Sequence, residues 1–97
     1  MVVRSTLMSF DYLSYKLGHS IQSDAIFGTS QGEILTFCSG RLLVLNETAH
    51  ESAINVVKVC DQLTRAEANV ITGGEDGLVK VWDSAINLLQ VIDTRAA

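Results

Sequence analysis

Runs of β-branched and other apolar residues recur along the chain, separated by segments rich in Gly, Asp and Ser. In the C-terminal half these runs are short, partly alternating and bounded by turn residues, so they predict four strands. The Gly-Gly and Asp-Gly pairs within 73–77 are expected to supply the positive φ angles of a tight hairpin turn. A polar loop is expected at 61–69 and a further turn at 83–87. The predicted strands cover residues 54–59, 70–72, 78–82 and 88–92.

The N-terminal half follows the same order of strands and turns. A loop is predicted over 11–24, and Ser39 with Gly40 is predicted to form the turn before the last strand. That last strand, 41–45, is apolar at successive positions, which is typical of a sheet covered on both faces. The predicted strands cover residues 5–10, 25–29, 33–38 and 41–45.

The two halves form an internal repeat, because residues 25–37 align with 70–82 at an offset of 45 positions. Four strands in about 40–45 residues is the period of a β-propeller blade. We therefore predict an all-β fold of two four-stranded antiparallel blades, a degenerate one over 1–48 and a sharper one over 49–97. The alternative, a single eight-stranded sandwich or barrel, would not explain the glycines shared at a fixed offset. The matched positions are Ile26 with Ile71, Gly28 with Gly73, Gly32 with Gly77, Ile34 with Val79, Phe37 with Trp82, and Leu43 with Leu88.

A motif in the second half resembles a WD repeat. It consists of Ala49 and His50, a Gly-Gly-Glu-Asp-Gly segment at 73–77, and then Trp82 and Asp83. Thirty-one residues separate His50 from Trp82, a usual spacing in that family. A Trp-Asp pair by itself means little, but the three features in this order are specific. The resemblance implies that the chain is part of a WD-repeat β-propeller.

The resemblance also implies a buried hydrogen-bond network. Asp76 is expected to accept a hydrogen bond from the ring of His50, which in turn contacts the hydroxyl of Thr72. The indole N–H of Trp82 is expected to reach the same hydroxyl. Losing one member would leave its partners unsatisfied, at roughly 1–3 kcal/mol for each buried group.

The first repeat departs from this pattern. Phe27, Gln31 and Phe37 stand where the second repeat has its Thr, Asp and Trp, and no His precedes the first strand. We therefore expect apolar packing alone to hold this half together.

A narrower resemblance involves residues 28–34, followed by Gly-Arg-Leu at 40–42 and then Ala49 and His50. This order is similar to that of the echinoderm microtubule-associated-protein-like family, whose blades often carry a Gly-Thr-x-x-Gly-(Asp/Glu)-Ile strand. A short fourth strand then leads into Ala-His. The resemblance covers most of residues 5–92 and implies a cytoskeletal protein whose partner is tubulin in microtubules.

Composition narrows the function classes. The chain has 97 residues, of which 47% are hydrophobic and 19% charged, and its net charge is −4. An acidic balance argues against nucleic-acid binding, and no apolar run is long enough for a membrane helix. Cys38 and Cys60 form no metal pattern, so reduced thiols in a cytoplasmic protein are expected. No signal peptide, metal or cofactor is expected.

Two features could suggest catalysis or ligand binding. His50, Asp76 and Thr72 contain the groups of a hydroxyl–His–carboxylate triad, but a nucleophile must face a pocket, whereas this network is expected to be buried. The glycines at 73–77 precede a strand rather than the helix that a phosphate-binding loop requires. We therefore expect no enzyme activity. Three charged residues at the edge of the second blade are either solvated or part of a partner-facing patch: Glu75, Lys80 and Asp83.

The function expected from these observations is a scaffold for protein–protein interaction, within a longer chain that supplies the remaining blades. The alternative is a substrate-recruiting or adaptor subunit of a multiprotein complex. Two blades would leave apolar faces uncovered, because a repeat buries its apolar side only against its neighbours. Expressed alone, the chain is expected to aggregate, to pair with copies of itself or to stay partly unfolded.

Overall fold

A computed structural model describes residues 6–17, 20–60 and 69–95 of the chain. These residues form eight antiparallel strands in two four-stranded sheets, which confirms the predicted all-β class and the number of strands. The strands are β1 (Leu7–Leu17), β2 (Ser20–Thr29), β3 (Ile34–Cys38), β4 (Arg41–Asn46), β5 (Ile54–Cys60), β6 (Asn69–Gly74), β7 (Leu78–Asp83) and β8 (Leu88–Asp93).

Each sheet is a meander in which consecutive strands are neighbours. The first sheet has the order β1-β2-β3-β4 and the second β5-β6-β7-β8. The eight described strands therefore form two separate sheets rather than one closed barrel. The sheets meet mainly through β5, which lies against β1 and β2.

The prediction of a loop over 11–24 is wrong. This segment forms the far ends of β1 and β2, whose ladder continues from the pair Phe10–Phe27 to the pair Leu17–Ser20. Polar residues such as Asp11 suggested a loop, but the Asp11 carboxylate accepts a hydrogen bond from the backbone of the second sheet. The other predicted loop, 61–69, lies outside the described residues except for its last residue, which begins β6.

One apolar cluster fills the space between the two sheets. Its members come from both sheets and from the connecting segments, and each is almost completely shielded from solvent. They are Leu13, Ile26, Ile34, Ala49, Ile54, Val57, Val59, Val70, Trp82 and Ile86.

Close backbone approach and polar contacts also join the sheets. A side chain at Gly28 would place its Cβ 2.5 Å from Cγ2 of Ile54, so only glycine lets β5 pack this closely on β2. Beside it, the hydroxyl of Ser9 donates to the carbonyl of Ile54 over 3.0 Å. Further along, the N–H of Val59 donates to the Asp11 carboxylate over 2.8 Å. These contacts fix the register of β5 on the first sheet.

The last strand of each sheet is not covered on both faces, contrary to the prediction for 41–45. Leu43 and Leu45 are 44% and 41% exposed, and every residue of β8 is exposed. The physical reason is that these strands lie at the outer edges, away from the place where β5 meets the first sheet.

The expectation that apolar packing alone holds the first repeat is also wrong. Thr29 is buried at the end of β2, and its hydroxyl donates to the carboxylate of Glu33 over 3.0 Å. The same oxygen accepts from the N–H groups of Gln31 and Glu33. The β2–β3 turn therefore has its own polar network, built from different residues than the one in the second repeat.

Candidate functional site

The structure brings together all four side chains of the expected network. His50 lies in the connection between the sheets, Thr72 in β6, Asp76 in the β6–β7 turn and Trp82 in β7. His50 Nδ1 lies 3.2 and 3.0 Å from the two Asp76 carboxylate oxygens, and Nε2 lies 2.7 Å from the hydroxyl of Thr72. The indole N–H of Trp82 donates to the same hydroxyl over 2.9 Å.

The donor and acceptor roles are consistent around the whole network. A carboxylate only accepts, so the Nδ1–H of His50 donates to Asp76. In the neutral imidazole Nε2 is then an acceptor, and the Thr72 hydroxyl donates to it. The hydroxyl oxygen keeps a lone pair for the Trp82 N–H. Every polar side-chain atom in the chain from carboxylate to indole therefore has a partner.

Asp76 is anchored by the backbone as well as by His50. Its carboxylate accepts from the N–H of Leu78 over 3.0 Å and from the N–H of Glu51 over 3.3 Å. Partial burial raises the pKa of Asp76, but these bonds and the neighbouring imidazole outweigh burial and hold the pKa below its usual value. The turn therefore favours the ionised carboxylate that the network needs.

Gly74 is a member of this site that the sequence interpretation missed. Its Cβ would lie 2.6 Å from His50 Nδ1 and 2.7 Å from Asp76 Oδ1, so a side chain there would displace the network. The Gly-Gly pair was expected to supply positive φ angles, yet both glycines lie in β6 and only Gly77 of the 73–77 segment has a positive φ, 81°. The Gly-Gly pair therefore did mark a special position, but Gly74 is needed because a side chain would not fit there, and not because of its backbone conformation.

The three edge charges differ in their surroundings. Lys80 is engaged internally, because its ammonium donates to the carbonyl of Ala49 over 2.6 Å and lies 5.9 Å from the centre of the Trp82 ring. Asp83 caps the β7–β8 turn, where hydrogen bonds from the backbone and side chain of Asn87 lower its pKa. Glu75 is exposed at the tip of the β6–β7 turn. The structure therefore does not bring these residues together as one patch.

The network has the geometry of a structural element. His50 is 3% exposed and Thr72 is fully buried, and the Thr72 oxygen is already bonded on two sides. A nucleophile would need access to a substrate and to an oxyanion site. A shallow groove on β4, lined by residues 41–44, contains none of the four.

No group of three or more His, Cys, Asp or Glu side chains among the described residues is placed to hold a metal ion, and Cys38 and Cys60 are free thiols. No helix in that part of the chain is long and apolar enough to cross a membrane.

Comparison of the chain with protein-family models, with curated proteins and with solved structures finds no match in any of the three.

Proposed function

We propose that the two sheets are consecutive blades of a WD-repeat β-propeller that acts as a protein-binding scaffold. The observation that carries this proposal is the fully satisfied hydrogen-bond network of His50, Asp76, Thr72 and Trp82 in a four-stranded meander. The contact of the sheets through β5, with outer strands left exposed, also suits a wedge-like stack of blades more than a sandwich with fully covered inner faces.

The scaffold role follows from how the polar groups are used. The buried hydroxyl and imidazole and the partly buried carboxylate hold the second sheet together, and each is already hydrogen-bonded within the network. A buried network of this kind rigidifies a fold when every member is satisfied. What remains for binding is the surface of the blades, so the molecule recruits a partner protein rather than transforming a small substrate.

Microtubules are the partner favoured by the resemblance of residues 28–50 to the echinoderm microtubule-associated-protein-like family, and a cytoplasmic, cytoskeletal location goes with it. The net charge of −4 opposes electrostatic steering toward an acidic tubulin surface. Binding would then depend on apolar and hydrogen-bonded contacts, and adding salt should weaken it little.

The test is co-sedimentation of the chain with microtubules at two salt concentrations. Pelleting that requires microtubules supports the proposal. Glu75→Gln should strengthen binding if the β6–β7 turn docks, because it removes a negative charge from an exposed tip. Ser84→Lys changes the net charge by the same amount in the β7–β8 turn, at the opposite end of the sheet, and serves as the matched control.

Absence of pelleting at both salt concentrations would remove tubulin as the partner. The adaptor function in a multiprotein complex would then be favoured, because the same hydrogen-bond network would stabilise a blade of either kind of protein. An equal gain in binding for both charge variants would mean that overall charge, and not the turn, controls the association.

A further inference from the structure

The first sheet has one face against the core and one face that is largely open, although Leu35, the register partner of Phe27 on the open side, is fully buried. The side chains of β1 alternate, so that Leu13 lies in the core while Phe10 and Tyr12 point to the other side, where they are 59% and 54% exposed. The register places Phe27 and Phe37 on the same side. Phe10 contacts both Tyr12 and Phe27, with ring centres 5.8 and 6.1 Å apart. These four residues form the aromatic face.

The second sheet also has an open face, on the side opposite the core. Within β5, Val57 and Val59 are buried whereas Val56 and Lys58 are exposed. The registers of β6, β7 and β8 extend this side with further apolar residues. We call it the aliphatic face, and its apolar members are Val56, Ile71, Val79, Val81 and Ile92.

The two sheets can be matched position by position, because β1 and β5 carry a register irregularity at the same point of their ladders. In β1 it lies between the pairs Leu7–Thr29 and Ser9–Gly28. In β5 it lies between the pairs Ile54–Gly74 and Val56–Gly73. The matching positions are Leu7 with Ile54, Ser9 with Val56, Phe10 with Val57, Asp11 with Lys58, Tyr12 with Val59, and Gly28 with Gly73.

This match relates the open faces to the buried ones. The aromatic face of the first sheet occupies the positions that the second sheet uses to pack on its neighbour. The aliphatic face of the second sheet occupies the positions that the first sheet uses to receive that packing. The chain therefore carries both halves of a second copy of its own internal interface.

The glycine position fits such a contact. In the internal interface, Ile54 packs on Gly28, where a Cβ would be only 2.5 Å away. At Gly73 the space above the backbone is free, because the nearest atom to an added Cβ is Cβ of Val56 at 3.7 Å. The counterpart of Ile54 is Leu7, which is 45% exposed and thus available to fill this space.

The position that Asp11 occupies in the internal interface is taken by Lys58 in the proposed contact, which is compatible with it although the charge is opposite. In the internal interface, Asp11 accepts the N–H of Val59. At the matching place, the N–H of Tyr12 already donates to Asp11 Oδ1 over 2.8 Å, so no further acceptor is needed. Lys58 stands where the acceptor would be, and its ammonium would meet the rings of the aromatic face in a cation–π contact.

We propose that the aromatic face of one copy of this chain stacks on the aliphatic face of a second copy. The two faces differ, so the contact is heterologous and each copy can engage two neighbours. A second copy is the occupant because one chain supplies complementary partners at Leu7 and Gly73 and at Tyr12 and Lys58. Propellers close with roughly four to eight blades, so a ring would contain about two to four copies. The inference rests on the proposed blade function only for this ring size.

The test is the mass of the whole chain in solution, by sedimentation equilibrium. The wild type should sediment at about two to four times the monomer mass of 10.5 kDa. Tyr12→Glu places a charge in the aromatic face and Gly73→Gln fills the space meant for Leu7, so each variant alone should be monomeric. Circular dichroism and Trp82 fluorescence should show that both variants keep the wild-type fold.

A mixture of the two variants distinguishes this interface from other association. The Gly73→Gln chain keeps an intact aromatic face and the Tyr12→Glu chain an intact aliphatic face, so a one-to-one mixture should form a two-chain species. Leu89→Gln is the matched control, because it removes a 57% exposed apolar side chain on the outer strand β8 and should leave the mass unchanged.

Three results would overturn the proposal. One is a monomeric wild type at every concentration at which it is soluble. Another is a mixture that stays monomeric although both variants are folded. The third is association that Leu89→Gln abolishes as well, since this would mean pairing through exposed outer strands.

Discussion

Replacing Thr72 by Val tests whether the buried network stabilises the fold as a unit. Val matches Thr in shape, so no cavity is created, but it removes the hydroxyl, which accepts from the indole N–H of Trp82 and donates to Nε2 of His50. Both partners are buried, and each unsatisfied buried group costs about 1–3 kcal/mol. The expected loss in the free energy of unfolding is therefore about 2–6 kcal/mol, a large fraction of the roughly 5–15 kcal/mol typical of a domain.

Thr36→Val is a matched control for this prediction. Thr36 is also buried in a strand, at 7% exposure, and its hydroxyl makes one hydrogen bond, to the carbonyl of Ala25 over 3.0 Å. Removing a single ordinary hydrogen bond costs about 0.5–1.5 kcal/mol. The same chemical change should therefore cost several times less here than at Thr72.

Urea unfolding followed by circular dichroism measures both variants, with Trp82, the sole tryptophan, as a fluorescent reporter. Protein concentration must be held constant, because self-association adds to apparent stability. Each kcal/mol should lower the Tm by about 4–8 °C for a chain of this size. Equal losses for the two variants, or a smaller loss at Thr72, would refute the argument that the network acts as a unit.

Further predictions concern the same network and the contact of β5 with β2. Because the pKa of Asp76 is lowered on folding, its contribution is present above the ordinary value of 3.8 and is lost as pH falls through the folded pKa; urea midpoints should therefore drop in that acid range for the wild type and much less for Asp76→Asn. Gly74→Ala should destabilise the fold by about 1–3 kcal/mol. At protein concentrations where the chain is monomeric, Gly73→Ala, where nothing lies closer than 3.7 Å, should be neutral or stabilise the fold by up to about 1 kcal/mol; equal unfolding midpoints for the two variants would contradict this. Gly28→Ala should lower the free energy of unfolding by about 1–3 kcal/mol, because a Cβ there would force β5 away from β2. Trp82 fluorescence should then report unfolding at a lower urea concentration than in the wild type, and an unchanged midpoint would count against this prediction.

Much of the strand pattern follows from local sequence. β3, β7 and β8 lie within a residue of the predicted ranges because turn residues bound each of them on both sides. The extent of β1 and β2 was missed because Asp11 and neighbouring polar residues resemble a loop. The Asp11 carboxylate finds its partner, the N–H of Val59, in the other sheet, at a sequence separation that no local window covers.

The glycines also divide into those whose role follows from local sequence and those whose role depends on tertiary contacts. The positive φ at Gly77 could be predicted, because Asp-Gly is a typical turn pair and the backbone conformation is a local property. The role of Gly74 could not, because it depends on the imidazole of His50, which arrives from the connection between the sheets. Likewise, the small size of Gly28 matters only because Ile54 packs on it.

The sequence by itself determined the all-β class, the order of the strands and the two-fold repetition, because alternation, turn chemistry and the 45-residue offset are written along the chain. It also indicated the membership of the polar network through the motif around His50 and Trp82. Only the tertiary structure decided how β5 seats on the first sheet, which faces are buried and which remain open. Those properties depend on side chains that meet across the two sheets, and packing between distant segments is not encoded in any local pattern.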